Sequence, residues 1–229
     1  MTTPLSRRHI LRRAAFLAAG TVVGTQLLSS PALARPEGPE PEKLRESVRK
    51  ARERDKRVLS GVPSRNGWEM EKTADDHGHI YTRPVPGIPV DGVQVRMGDV
   101  ETVLVHVIRR FHYEIDELRR DDVTGWRHPS KVRKGMAESN QASGTAVQVR
   151  PGSYPSGVRG GYFPQQLAVV RDILAECEGV VRWGGDDKHP DEALFYIDVE
   201  PGDGRLPELA EKIADWDWTP GKGAGSGSA

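Results

Sequence analysis

Between about residue 61 and residue 218 the apolar positions change period several times. Residues 68–73 and 80–85 alternate as two short strands on either side of a turn at Asp76-His77-Gly78. Val93, Val95 and Met97 continue the alternation as a third strand. The period then lengthens to that of a helix. Val100, Val103, Leu104, Val107, Phe111, Ile115 and Leu118 fall on one face, with Asp99 as its N-cap and Glu101 near the positive end of its dipole. A second helix is predicted to open at Pro164, a favoured first helical position, with Leu167, Val170, Leu174 and Cys177 on its inner side. Residues 180–183 and 194–199 read as strands, and a last helix covers residues 206–216. Short strands and three helices without regular βαβ alternation predict an α+β domain, a small antiparallel sheet packed with about three helices.

Outside residues 60–218 the pattern has another character. Residues 35–59 are rich in Pro and Glu and then densely charged, and opposite charges three and four apart predict a solvated helix that acts as a stalk or linker. Residues 219–229 have the composition of a flexible Gly/Ser tail. At the other end, Ser6-Arg7-Arg8-His9-Ile10-Leu11 resembles a twin-arginine export signal. An interrupted apolar stretch, residues 14–28, and an Ala32-Leu33-Ala34 cleavage site follow it, so residues 1–34 are expected to be removed and the mature chain to begin at Arg35. The stretch is too short and too weakly apolar to hold a bilayer span, which takes roughly 20 residues. The reading is therefore a protein exported folded, with no stable membrane span after cleavage.

Charge and cysteine usage narrow the functional classes. Loss of four signal arginines leaves 29 basic residues against 33 acidic ones, a mature net charge of −4. That balance offers no basic excess for nucleic acid. With one cysteine, Cys177, no internal disulfide exists, and its place in an apolar helical pattern reads as a buried structural thiol.

The candidate chemistry lies in Ser139-Asn140-Gln141-Ala142-Ser143-Gly144-Thr145-Ala146-Val147-Gln148, then Trp183-Gly184-Gly185-Asp186, then Asp191-Glu192-Ala193-Leu194-Phe195. In this order the segments resemble the zinc D-alanyl-D-alanine carboxypeptidases and peptidoglycan endopeptidases of the Hedgehog-like DD-peptidase fold. The resemblance covers roughly residues 66–199. It implies zinc ligands at the positions of Gln141, Gln148 and Leu194, a catalytic base at Asp191 and a substrate-side arginine at Arg127. It also implies a groove that includes Ser139 and Trp183. Zinc takes imidazole, thiolate or carboxylate ligands, so an amide, an amide and a hydrocarbon at the three positions predict no zinc cofactor. Without the metal, nothing activates a water for Asp191. The expectation is an inactive relative that binds cell-wall stem peptide or another exported protein. Two alternatives stay open. One is a peptidase with a metal site rebuilt from the acidic loop and a histidine. The other is an interaction protein with a filled cleft, in which Leu194 is buried and Gln141 and Gln148 bond only to backbone.

Other polar residues have simpler roles beside the chemical ones. His77 and His79 would face one way on a strand, as ligands can, but their turn reads as a solvated hairpin tip. Asp186, Asp187, His189, Asp191 and Glu192 form an acidic loop, either a weak site for a hard cation or simply solvated. His106 and His112 are six apart on a helix and so occupy different faces. Ser139 and Ser143 lack a visible His-Asp partnership for nucleophilic catalysis.

Overall fold

The computed structural model describes residues 41–219; the expected signal segment, residues 35–40 of the expected stalk and nearly all of the expected tail lie outside it. Helix α1 (Pro41–Val58) carries the charged run and is followed by a hairpin of β1 (Leu59–Pro63) and β2 (Glu69–Glu71). A second hairpin joins β3 (Ile80–Arg83) to β4 (Val93–Arg96). Helix α2 (Asp99–Glu114) leads through β5 (Val123–Thr124) to the single turn α3 (Ser139–Ala142) and β6 (Ala146–Val149). Then come α4 (Pro164–Glu176), β7 (Val181–Trp183), β8 (Leu194–Ile197) and α5 (Arg205–Trp218). The order in the main sheet is β5-β6-β8-β7, antiparallel throughout. Among the described residues this is an α+β architecture of small antiparallel sheets and five α-helices. The three domain helices read from the sequence are α2, α4 and α5; α1 is the helix expected in the charged run, and α3 is additional.

Helix α2 forms because its apolar face repeats every 3.6 residues, and it packs chiefly on α5 and also on α4 and β8. Phe111 sits at the centre, fully buried, with edge-on contacts to Tyr154, Tyr162 and Phe195. Asp99 is the first helical residue rather than the cap, a position taken by Gly98 with φ 90°. The helix ends at Glu114, so Leu118 is buried from the loop beyond. Helix α4 opens at Pro164 as expected, and the Gln166 side chain accepts the Phe163 N–H at 3.0 Å.

The strands on either side of Asp76-His77-Gly78 are not partners of each other. β2 pairs back to β1, and β3 pairs forward to β4. Residues 59–63, of which Leu59 was assigned from sequence to the stalk, supply the strand that pairs with β2. The break between β2 and β3 is held by Glu71, whose buried carboxylate accepts the His79 N–H at 2.9 Å and faces His79 Nδ1 and Arg96 Nη2. Cys177 is wholly buried, and desolvation pushes its thiol up to about 12.

Among the described residues no helix is long and apolar enough to cross a membrane.

Candidate functional site

The register of β6 against β8 places Gln148 opposite Leu194. One turn earlier in the chain, α3 holds Gln141 and delivers the backbone through Gly144 into β6. On the far side, β7 ends in a short 3-10 turn (Gly184–Asp186), and the Gly184 carbonyl accepts both the Asp187 and Asp191 N–H groups, at 3.1 and 3.0 Å. These two constraints bring Asp191 to Gln148, whose Nε2 donates to Asp191 Oδ2 at 2.8 Å. Gln141 Nε2 donates to the Gly125 carbonyl at 3.0 Å and lies 3.5 Å from Gln148 Oε1. The Thr124 carbonyl, at 3.4 Å, faces the same nitrogen, which fixes the orientation of the Gln141 amide. A polar chain thus runs Gly125, Gln141, Gln148, Asp191, across residues far apart in sequence.

Gln141 and Leu194 are buried and Asp191 nearly so, while Gln148 is half-buried. Among the described residues, two buried oxygens of this polar cluster have no hydrogen-bond partner, Gln141 Oε1 and Asp191 Oδ1. Leaving such atoms unpaired costs about 1–3 kcal/mol each, so the cluster is poorly satisfied as plain core.

Electrostatics follow from burial. Desolvation raises the Asp191 carboxyl above its ordinary range, and the charge of Glu138 adds to the rise. The Gln148 amide, the Ala193 N–H and the Ser156 hydroxyl oppose it incompletely. Glu138 itself is held low by Arg133, which donates to it from Nε at 2.9 Å and Nη2 at 2.8 Å. The nearby charge of Arg127 lowers it further. Arg133, Glu138 and Arg127 therefore form a charged rim beside the Gln148–Asp191 pair.

A pH prediction follows. The folded state favours protonated Asp191, so the penalty for ionising it is absent below the ordinary value of 3.8 and grows as pH rises through the raised folded value. Asp191→Asn is therefore expected to match the wild type in acid and to become the more stable protein toward neutral pH. Denaturant midpoints measured from pH 4 to pH 8 check it. A variant less stable by the same amount at every pH would show that the carboxyl's hydrogen bonds, not its charge, set the difference.

The zinc site implied by the resemblance does not fit the donors present. Gln141 turns nitrogen, not oxygen, toward Gln148, and Leu194 has no lone pair. Among the described residues the acidic loop gathers no group of three candidate ligands, and its carboxylates are engaged by protein partners. Asp186 pairs with Arg171. Asp187 takes the Tyr196 hydroxyl at 3.0 Å together with Arg65 and Arg182. Glu192 accepts the Gly160 and Gly161 N–H groups, each at 2.8 Å. The reading of this loop as solvated holds for Asp186 and His189, which are exposed, and is corrected for Asp187, Asp191 and Glu192, which are buried.

Two expected groove residues, Ser139 and Trp183, are buried. Ser139 is fully buried, accepts the Arg65 N–H at 2.9 Å and donates to the Met136 carbonyl at 2.7 Å, so it fastens α3 to the loop after β1. Trp183 belongs to the core, with Nε1 donating to the Glu192 carbonyl at 2.8 Å and its ring edge-on to Tyr162. His106 and His112 diverge, the first bonding Glu176 at 2.8 Å and the second accepting the Leu118 N–H at 2.9 Å. His77 is exposed, while His79 is drawn to Glu71, so the pair does not converge.

Behind the cluster lies a buried polar network that sequence reading did not single out. Asn66 Nδ2 donates to Thr145 Oγ1 and to the Ile197 carbonyl, at 2.9 and 2.7 Å. Ser143 Oγ is 2.9 Å from both Ser64 Oγ and Thr145 Oγ1. This network sets the angle at which α3 enters β6. The available signal was a dense run of small polar residues, Ser139 to Thr145, bordered by Ala146 and Val147.

Comparison of the chain with family models, with curated proteins and with solved structures gave no match.

Proposed function

We propose that the chain is an exported, catalytically inactive protein of the Hedgehog-like DD-peptidase fold that binds cell-wall stem peptide at the Gln148–Asp191 end of its polar cluster. The observation that carries this reading is convergence. Positions 141, 148, 191 and 194, picked out by resemblance alone, meet in one cluster built from amides, a carboxylate and a leucine. The two unpartnered oxygens, the half-buried Gln148 amide and the charged rim suit a ligand carrying backbone N–H groups and a carboxylate. The adjoining loop, fastened to Glu192 and Pro190, carries the exposed apolar side chains Val158 and Phe163.

Calorimetric titration of the full chain with a stem peptide ending in D-Ala-D-Ala is expected to give saturable binding. Gln148→Ala should weaken it about tenfold, the equivalent of ~1.4 kcal/mol for one lost charge-assisted hydrogen bond. A second measurement tests the correspondence itself. The triple change Gln141→His, Gln148→Asp and Leu194→His is expected to take up one zinc per chain by mass spectrometry. Failure of a folded triple variant to do so removes the correspondence with the DD-peptidase ligand positions.

A second reading, a protein with a filled cleft that acts through its outer surface, draws on the complete burial of Leu194 and Gln141. Absence of binding by every stem peptide, with zinc uptake by the triple variant, would favour it.

A further inference from the structure

Helix α1 is 18 residues long, about 27 Å at 1.5 Å per residue, and its last turn is fastened to the domain. Lys72 donates its backbone N–H to the Val58 carbonyl at 2.7 Å and its Nζ to the Lys56 carbonyl at 2.8 Å, and Arg57 pairs with Asp76. From Glu42 to Lys50 every residue is exposed.

The charges along α1 are ordered around its axis. With about 100° per residue, Leu44, Val48, Ala51 and Val58 fall on one side. Glu42, Glu46 and Glu53 fall on the opposite side. Basic residues fill the two flanks: Lys50, Arg54 and Arg57 on one, Arg45, Arg49, Arg52 and Lys56 on the other. Leu44 and Val48 are 54 % and 42 % exposed, so most of the apolar stripe is uncovered. A single carboxylate, Asp55, interrupts it, and Arg54 pairs with that group at 3.1 Å.

We infer that α1 lies on an anionic lipid surface, with Leu44 and Val48 entering the headgroup layer. The flanking arginines and lysines have stems long enough to follow the apolar stripe down while their charges reach lipid phosphates. The glutamates then point to water. A soluble polyanion would need no apolar stripe between the cations. The helix holds eight Lys and Arg against four Asp and Glu, a net of +4. Residues 59–219 hold nineteen against twenty-seven, a net of −8, so the rest of the described chain is repelled by the same surface. The charge asymmetry thus selects α1 as the side that approaches. This inference is independent of the peptide-binding reading.

The test uses single-cysteine labelling in the full chain, since Cys177 is buried and does not compete for reagent. A polarity-sensitive dye is attached at Val48→Cys or at Glu46→Cys, two exposed positions on opposite sides, with circular dichroism confirming the fold. With phosphatidylglycerol vesicles at low salt, the dye at position 48 is expected to shift to the blue and the dye at position 46 to stay unchanged. Phosphatidylcholine vesicles should shift neither, and the effect should fade at about 1 M salt, where the screening length is about 3 Å. Reversing two flank charges, Arg45→Glu with Arg49→Glu, should weaken vesicle binding at least about tenfold. A silent dye at position 48, or equal shifts at both positions, overturns the inference. So does an equal response to a soluble polyglycerol phosphate, which would make α1 a polyanion-binding helix.

Discussion

Gly144→Ala is expected to destabilise the domain by about 2–5 kcal/mol, adding the strain of a left-handed backbone to that of overpacking. Gly144 has φ 70°, and a Cβ there would lie 2.7 Å from the Arg96 backbone nitrogen and 2.8 Å from Ile80 Cγ1. The Arg96 N–H donates to the Gly144 carbonyl at 2.9 Å, so the clash falls on the hydrogen bond that joins β4 to the turn after α3. The backbone atom cannot swing aside as a side chain would. Relief requires the β3–β4 hairpin to move off the α3–β6 corner, and the polar network at Ser143 and Thr145 moves with it. Denaturant unfolding measures the loss, which is a large share of the ~5–15 kcal/mol typical of a domain. A change below about 1 kcal/mol would mean that hairpin and corner are not packed as described.

Arg110→Ala is expected to cost about 3–5 kcal/mol at neutral pH, the range for breaking a buried ion pair by removing one partner. The Arg110 side chain is 7 % exposed and ties α2 to α4. It donates to Glu176 Oε2 at 2.6 Å, to Asp172 Oδ2 at 2.7 Å and to Glu114 Oε2 at 2.8 Å. Glu114 and Asp172 reach solvent and can rehydrate, but Glu176 is 13 % exposed and would keep only His106. Burial by itself raises the Glu176 carboxyl; His106 and Arg110 together outweigh that and hold it low. Its contribution is therefore present above the ordinary value of 4.5 and is lost as pH falls through the lowered folded value. The cost of Arg110→Ala should accordingly shrink on acidification. Arg110→Met restores most of the volume and isolates the charge, and adding Glu176→Leu should recover stability. Unfolding measured at pH 7 and near pH 4 for these variants separates packing from charge. Equal losses at both pH values would assign the effect to packing alone.

The pattern of apolar positions was enough for the elements whose own residues decide them. The period in α2, α4 and α5 is carried by side chains one turn apart, so Val103, Val107 and Phe111 announce a helix without reference to the rest of the chain. Strands β2, β3, β4, β7 and β8 were legible in the same way, and so were the burial of Cys177 and the divergence of His106 and His112. The positions of Gln141, Gln148, Asp191 and Leu194 were also picked out in the sequence, though by resemblance and not by spacing.

Tertiary structure decided the rest. Strands β1, β5 and β6 and the turn α3 were not assigned from the sequence; the strands exist because β2, β6 and β8 pair with them. The partner of β2 is decided by the fold, and the strand it pairs with, β1, was not read as a strand, its first residue Leu59 having been given to the stalk. Charge misled in the loop at residues 186–192, where composition suggested solvent. Arg65, Arg171 and Arg182, together with the backbone N–H groups of Gly160 and Gly161, come from elsewhere in the sequence to meet those carboxylates. A buried charge is stable only when paired or hydrogen-bonded, and pairing partners are chosen by the fold. The same holds for the cluster. The sequence set which atoms Gln141, Gln148 and Asp191 carry; only the β6–β8 register and the Gly184 turn brought those atoms within hydrogen-bond reach and left two oxygens unpaired.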